Sequence, residues 1–155
     1  VYAKPGTDLT DSREGLCRVL LSIAYDFDDA ELAARAAMQL GWFGRGDGSL
    51  AARFRAARIG MPAGAARDGF TMALGAVGST DDATVEGLAR DLASGPPPTV
   101  AAAAQALRWL VNGPTTAALV EPWVDACLGR AAKDARCRID LLGLARHIAM
   151  APLLD

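Results

Sequence analysis

His147 is the single histidine in the chain, so any Ser–His–Asp or Cys–His chemistry would have to be built around it. Its place in the last turn of a helical segment fits better with a cation stabilised by the negative end of the helix dipole. Asp26, Asp28, Asp29 and Glu31 form an acidic cluster. They lack the spaced oxygen ligands and turn glycine of a calcium loop and read as caps and solvated charges. Gly44, Gly46 and Gly48 have the glycine content of a phosphate loop, yet they follow a helical segment and have no Gly-Lys-Ser ending, which leaves a flexible turn. Cys17, Cys127 and Cys137 are odd in number and form no CxxC pair. They predict neither a disulfide framework nor a zinc site and read as reduced core residues, hence a cytoplasmic setting. No catalytic residue, metal or cofactor is expected, and a noncatalytic role is favoured.

Binding has more to stand on. Ala34, Met38 and Trp42 lie four apart, as do Asp68, Met72 and Ala76, then Ala101, Gln105 and Trp109, and finally Arg136, Asp140 and Leu144. Each trio lies on one face of a helix. Trp42 and Trp109 hold equivalent places, with Arg45 and Arg108 nearby, and Trp, Arg and Met commonly anchor protein interfaces. The candidate partner-binding residues are therefore Met38, Trp42, Arg45, Met72, Gln105, Arg108, Trp109, Arg136 and Asp140. In the competing reading both tryptophans are large fillers of an alanine-rich core. Arg35, Arg53, Arg55, Arg58 and Arg67 concentrate positive charge. A solvated face explains them, with Arg53, Arg55 and Arg58 as the candidate anion patch.

The elements that must position these groups are helical. The 155 residues suit one domain, and with 52% apolar residues the chain can build a core. Abundant alanine with only 6% aromatic residues favours closely approaching helices over a sheet. Sixteen basic against eighteen acidic residues give a net charge of −2, which argues against nonspecific nucleic-acid binding. The longest apolar candidate, Thr99 to Val111, is broken by Gln105 and Arg108 and is too short to span a membrane. Val1 in place of Met, with no signal segment after it, suggests an excised domain or a trimmed chain.

Capping and apolar periodicity predict eight helices and no strands. The first runs from about Asp11 to Tyr25 and the second from about Asp29 to Phe43. A third is capped by Ser49 and closes at Gly60, and a fourth opens at Pro62 and closes at Gly78. The fifth runs from Asp81 and Asp82 to Ser94, and the sixth from Thr99 to Val111. The seventh opens at Pro114 and reaches the Lys133-Asp134 break, and the eighth ends near Met150. Pro122 should bend the seventh or divide it in two.

A recurrence ties them together. Met38-Gln39-Leu40-Gly41 aligns with Met72-Ala73-Leu74-Gly75, then with Gln105-Ala106-Leu107-Arg108, then with Asp140-Leu141-Leu142-Gly143, at spacings of roughly 33 to 35 residues. Leu40, Leu74, Leu107 and Leu142 are the expected fillers between layers. Leu32-Ala33-Ala34-Arg35-Ala36-Ala37-Met38-Gln39-Leu40-Gly41 resembles the second helix of the HEAT-repeat family, and Ala66-Arg67 through Ala73-Leu74-Gly75 is a second such copy. The resemblance implies an all-α fold, a right-handed α-solenoid of about four two-helix units near residues 10–45, 48–78, 80–112 and 114–150. It also implies a concave inner face that binds a protein or peptide partner.

The function expected is thus a noncatalytic interaction scaffold of unstated oligomeric state. The alternatives are a HEAT-like nucleic-acid binder of the DNA-glycosylase kind and a bilin-lyase-like or chaperone-like protein.

Overall fold

Seven α-helices lie among the described residues: α1 (Ala30–Phe43), α2 (Gly48–Gly60), α3 (Ala65–Val77), α4 (Asp82–Ser94), α5 (Pro97–Leu110), α6 (Pro114–Ala131) and α7 (Ala135–Met150), followed by a 3-10 turn at Ala151–Leu153. The computed structural model describes residues 29–131 and 133–153, with Gly15, Val19, Leu20, Ser22 and Ile23 before them. Most of the helix expected between Asp11 and Tyr25, together with Cys17, Asp26 and Asp28, lies outside the described residues. Among the described residues there is no strand.

Aspartates set most of the helix starts. Asp29 accepts from the Glu31 and Leu32 amides, Asp47 from Ser49 and Leu50, Asp81 from Thr84, and Asp134 from Arg136 and Cys137. Each satisfies amide groups that the first helical turn leaves without an internal partner. The cap of α2 is Asp47, two residues before the expected Ser49. Gly78 closes α3 in the left-handed region, at φ 75°, where glycine carries no Cβ penalty. Helix α5 begins at Pro97, two residues before the expected Thr99, because a proline missing its N–H fits a first turn.

Helix α6 is one continuous helix through Pro122, so the expected division into two does not occur. Pro122 and Ala118 are both exposed, so the carbonyl that loses its helical donor faces water.

Helices α1, α3, α5 and α7 form a row in which each packs on the next, while α2, α4 and α6 lie against α3, α5 and α7 as a second layer. The row closes at glycines. A Cβ on Gly41 would stand 2.6 Å from the Ala73 carbonyl oxygen, one on Gly69 2.3 Å from Ala34 Cα, and one on Gly75 2.4 Å from Ala106 Cα. Backbone meets backbone at these points, which brings α1 onto α3 and α3 onto α5.

This packing corrects the expected HEAT-like solenoid. Among the described residues the most extensive contacts run between non-sequential helices, α1 with α3 and α3 with α5, and exceed those within the pairs α2–α3, α4–α5 and α6–α7. The second layer is not a uniform stack either. Helices α2 and α4 scarcely approach and are joined by charged side chains, Arg55 to Asp81 and Arg58 to Asp91, whereas α4 and α6 pack directly. The fourth copy of the recurrence is out of register with the others. Leu40, Leu74 and Leu107 are fully buried, but Leu142 is 53% exposed, and Leu141 and Leu144 take the buried places in α7. Gly143 likewise meets no backbone. The Leu-Gly pairs at Leu40-Gly41 and Leu74-Gly75 mark where alternate helices touch closely, and the recurrence does not define four equivalent units of a simple HEAT array.

The core falls into two clusters. One gathers Ala37, Leu40, Phe54, Phe70, Ala73 and Leu74 around α1, α2 and α3, with Leu20 and Ile23 half-buried against it. The other gathers Leu88, Leu92, Val100, Leu107, Val120, Leu141 and Leu144 around α4 to α7. Phe54 and Phe70 meet edge to face, with 5.7 Å between ring centroids.

Candidate functional site

A groove of about 810 Å³ crosses the row of alternate helices. Its floor is laid by Ala34 of α1, Asp68 and Met72 of α3, Ala101 and Gln105 of α5, and Asp140 of α7, with the 63–65 loop and Pro96 and Pro98 forming its walls. Small side chains at Ala34, Ala63, Gly64, Ala65, Ala101 and Ala102 leave the space open, and the prolines hold the wall without presenting an amide donor. Three of the expected partner-binding residues, Met72, Gln105 and Asp140, meet here.

The charged lining of this groove is acidic: Glu31, Asp68 and Asp140. Glu31 at the exposed rim holds Arg35 at 2.5 Å. Asp68 is only 8% exposed, and its Oδ1 accepts the Thr99 hydroxyl at 2.8 Å. Oδ2 takes no hydrogen bond, and because no buried side-chain oxygen among the described residues lacks a partner, this atom is accessible on a side chain that lines the groove. Burial pushes the Asp68 carboxyl above its usual range. The Thr99 hydroxyl and the Arg67 charge offset only part of that rise.

A second cluster stands at the C-terminal ends of the same helices. Trp42 and Trp109 meet edge to face, with 5.1 Å between ring centroids, and the Arg45 guanidinium lies 5.3 Å from the Trp42 centroid. Arg45 also donates to the Ala76 carbonyl at 3.1 Å and the Trp109 carbonyl at 3.5 Å, tying the ends of α3 and α5 to the turn after α1. Trp42 remains 41% exposed, but neither tryptophan lines the groove. Arg108 is exposed on α5, and Arg136 is exposed at the start of α7. Met38 is half-buried. His147 lies in the last turn of α7, as expected, but its Nε2–H donates across to the Val111 carbonyl at the end of α5, at 2.9 Å.

Arg53, Arg55 and Arg58 project from α2 in different settings. Arg58 is buried and donates to Asp91 at 2.5 Å, to the Thr71 hydroxyl and to the Gly87 carbonyl, while Arg67 reaches the other Asp91 oxygen at 3.0 Å. Arg55 donates to Asp81 at 2.6 Å and to Thr84. Both guanidinium charges are thus matched by carboxylates of the neighbouring helix. Arg53 is exposed.

Sequence reasoning placed Asp68 in the right row but did not select it. Thr99 entered only as the expected start of the sixth helix. The signal for Asp68 was an acid inside an otherwise apolar helical stripe. Two smaller depressions were also unforeseen. One, of about 290 Å³, sets the exposed Leu119 and Trp123 beside Asp82 and Glu86, and one of about 270 Å³ lies between α6 and α7. Among the described residues no three His, Cys, Asp or Glu side chains come together as metal ligands would, and no helix is long and apolar enough to cross a membrane.

Comparison with known proteins returned no matching family, no matching curated protein and no matching solved structure. The HEAT resemblance therefore has neither a family match nor the packing to support it.

Proposed function

We propose that this chain is a noncatalytic binding module that receives an extended polypeptide segment in the groove across α1, α3, α5 and α7. The observation that carries this reading is one continuous, mostly apolar depression contributed by four helices, with few polar groups directed into it. Four helices at the usual spacing span roughly 24 to 30 Å, the length of about eight residues of extended chain. Small-residue floors accept a backbone closely, and Gln105 offers an amide to a passing peptide group. The acidic lining weighs against nucleic acid. A cytoplasmic setting belongs to the same reading, since Cys127 and Cys137 lie in the core.

The test is selection of displayed random peptides on the intact chain, with counter-selection on Ala101→Trp, which fills the groove from a partly exposed position. Peptides that bind the parent and not the variant support the reading. A selection yielding only peptides indifferent to the substitution contradicts it.

A further inference from the structure

We infer that the segment taken up is basic: an extended chain carrying Lys or Arg among small apolar residues, with one cationic group seated on Asp68 Oδ2. This rests on the groove being the binding face, and it adds the chemistry of the occupant.

The charged side chains lining the groove have one sign. Glu31, Asp68 and Asp140 line the groove, and among the described residues no lysine or arginine does. The basic residues nearest in sequence are turned to other work, Arg67 to Asp91 and Arg35 to Glu31. Asp68 is the distinctive member. Here Oδ1 is held by Thr99, which fixes the orientation of the carboxylate, and Oδ2 is left accessible on a side chain that lines an apolar depression. A guanidinium or ammonium placed there would donate to this accessible oxygen and bring the opposite charge to a partly desolvated carboxylate, where a charge-assisted hydrogen bond is stronger than in open water. Burial already raises the energy of the bare carboxylate, so a cation gains from relieving it. Asp140, half-buried on α7, gives a second acidic position farther along the groove. Alanines and Met72 between the acids suit a chain whose basic residues alternate with small ones.

The probes are three labelled peptides of about eight residues, the length set by the groove. One alternates Ala with Arg, and in the other two Gln or Glu replaces Arg. Binding is read by fluorescence anisotropy. The Arg peptide is expected to bind roughly tenfold or more tighter than the Gln peptide, with the Glu peptide not binding and affinity falling as salt is raised. Asp68→Asn, which keeps the shape and the Thr99 contact, is expected to abolish most of the Arg preference, Asp140→Asn to reduce it less, and Asp82→Asn on the other layer to leave it unchanged. Far-ultraviolet circular dichroism and thermal unfolding confirm that each variant is folded. Equal affinity for the Arg and Gln peptides, both lost in Ala101→Trp, overturns the basic occupant and leaves the groove reading standing. Arg-peptide binding that survives Ala101→Trp, or no binding of any of the three, overturns both. Spermine displacing the Arg peptide at matched charge overturns a polypeptide occupant in favour of diffuse charge attraction.

Discussion

Trp42 of α1 and Trp109 of α5 touch edge to face across the end of α3, where the equivalent residue is the buried Ala76. A large side chain at Ala76 would keep them apart, so the smallest residue in that register lets helices two places apart in the row meet. Arg45 seals the junction by its contacts with Trp42 and with the carbonyls of Ala76 and Trp109. The double-mutant cycle of Trp42→Ala and Trp109→Ala is expected to show a coupling of about 0.5–1.5 kcal/mol in chemical unfolding. Additive effects would show that the two rings stabilise the ends of α1 and α5 separately.

Close approach of alternate helices makes a second expectation. Gly75→Ala places a Cβ 2.4 Å from Ala106 Cα, where only backbone movement gives relief, and is expected to cost about 1–3 kcal/mol or more. Gly129→Ala, inside α6 with nothing within 4 Å, is expected to gain about 0.5–1 kcal/mol. Urea midpoints moving in opposite directions check the pair together. Movement in the same direction would contradict the close contact of α3 with α5.

The buried bridge from α2 to α4 is expected to be sensitive to loss of one partner. Asp91→Ala leaves Arg58, whose side chain is 8% exposed, without its carboxylate, and Arg67 loses the same partner. The expected loss is about 3–5 kcal/mol. Arg58→Met combined with Asp91→Leu is expected to recover most of that loss, because an apolar pair avoids the desolvation of both charges. Equilibrium unfolding of the two variants beside the parent chain measures it.

Two aspartates pull the pH dependence of stability in opposite directions. Asp68 titrates higher in the folded chain than its usual 3.8, so between these values the folded state keeps a proton that the unfolded state has released. Its contribution makes stability fall as pH rises through that window. For Asp81, partial burial pushes upward, but hydrogen bonds from Ser79 and Thr84 and the charge of Arg55 outweigh it and hold the carboxyl below 3.8. That contribution is fully present above 3.8 and is lost as pH falls through the folded-state value. Asp68→Asn is therefore expected to raise stability at neutral pH relative to acid, and Asp81→Asn to remove part of the acid-side loss. Urea unfolding across the acid range, with the two slopes unchanged by substitution, would contradict these assignments.

Helices were legible because their signals are local. Asp29, Asp81 and Asp134 reach amides two or three residues away, and Gly78 ends α3 within its own turn. The arrangement of the helices was less legible. Gly41 and Gly75 each follow a leucine whether units repeat uniformly or alternate helices simply touch, and Leu142, exposed where a filler was expected, helps to separate the two. In the groove, Met72, Gln105 and Asp140 were legible from their four-residue spacing on aligned faces. The tryptophans attracted attention by residue type, yet their partner is each other. Arg55 and Arg58 could not be told from a solvated patch, since the carboxylates that meet them lie on another helix. Asp68 depends on Thr99, distant in sequence, and no local pattern announces that bond.

The claim that the groove is the binding face is tested most directly by amide chemical-shift mapping with the Ala–Arg peptide added to the intact chain. The account predicts shift changes at Ala34, Asp68, Met72, Ala101, Gln105 and Asp140, with Leu119 and Trp123 undisturbed. Changes centred on Leu119 and Trp123, or spread evenly over the exposed acidic residues, would contradict it.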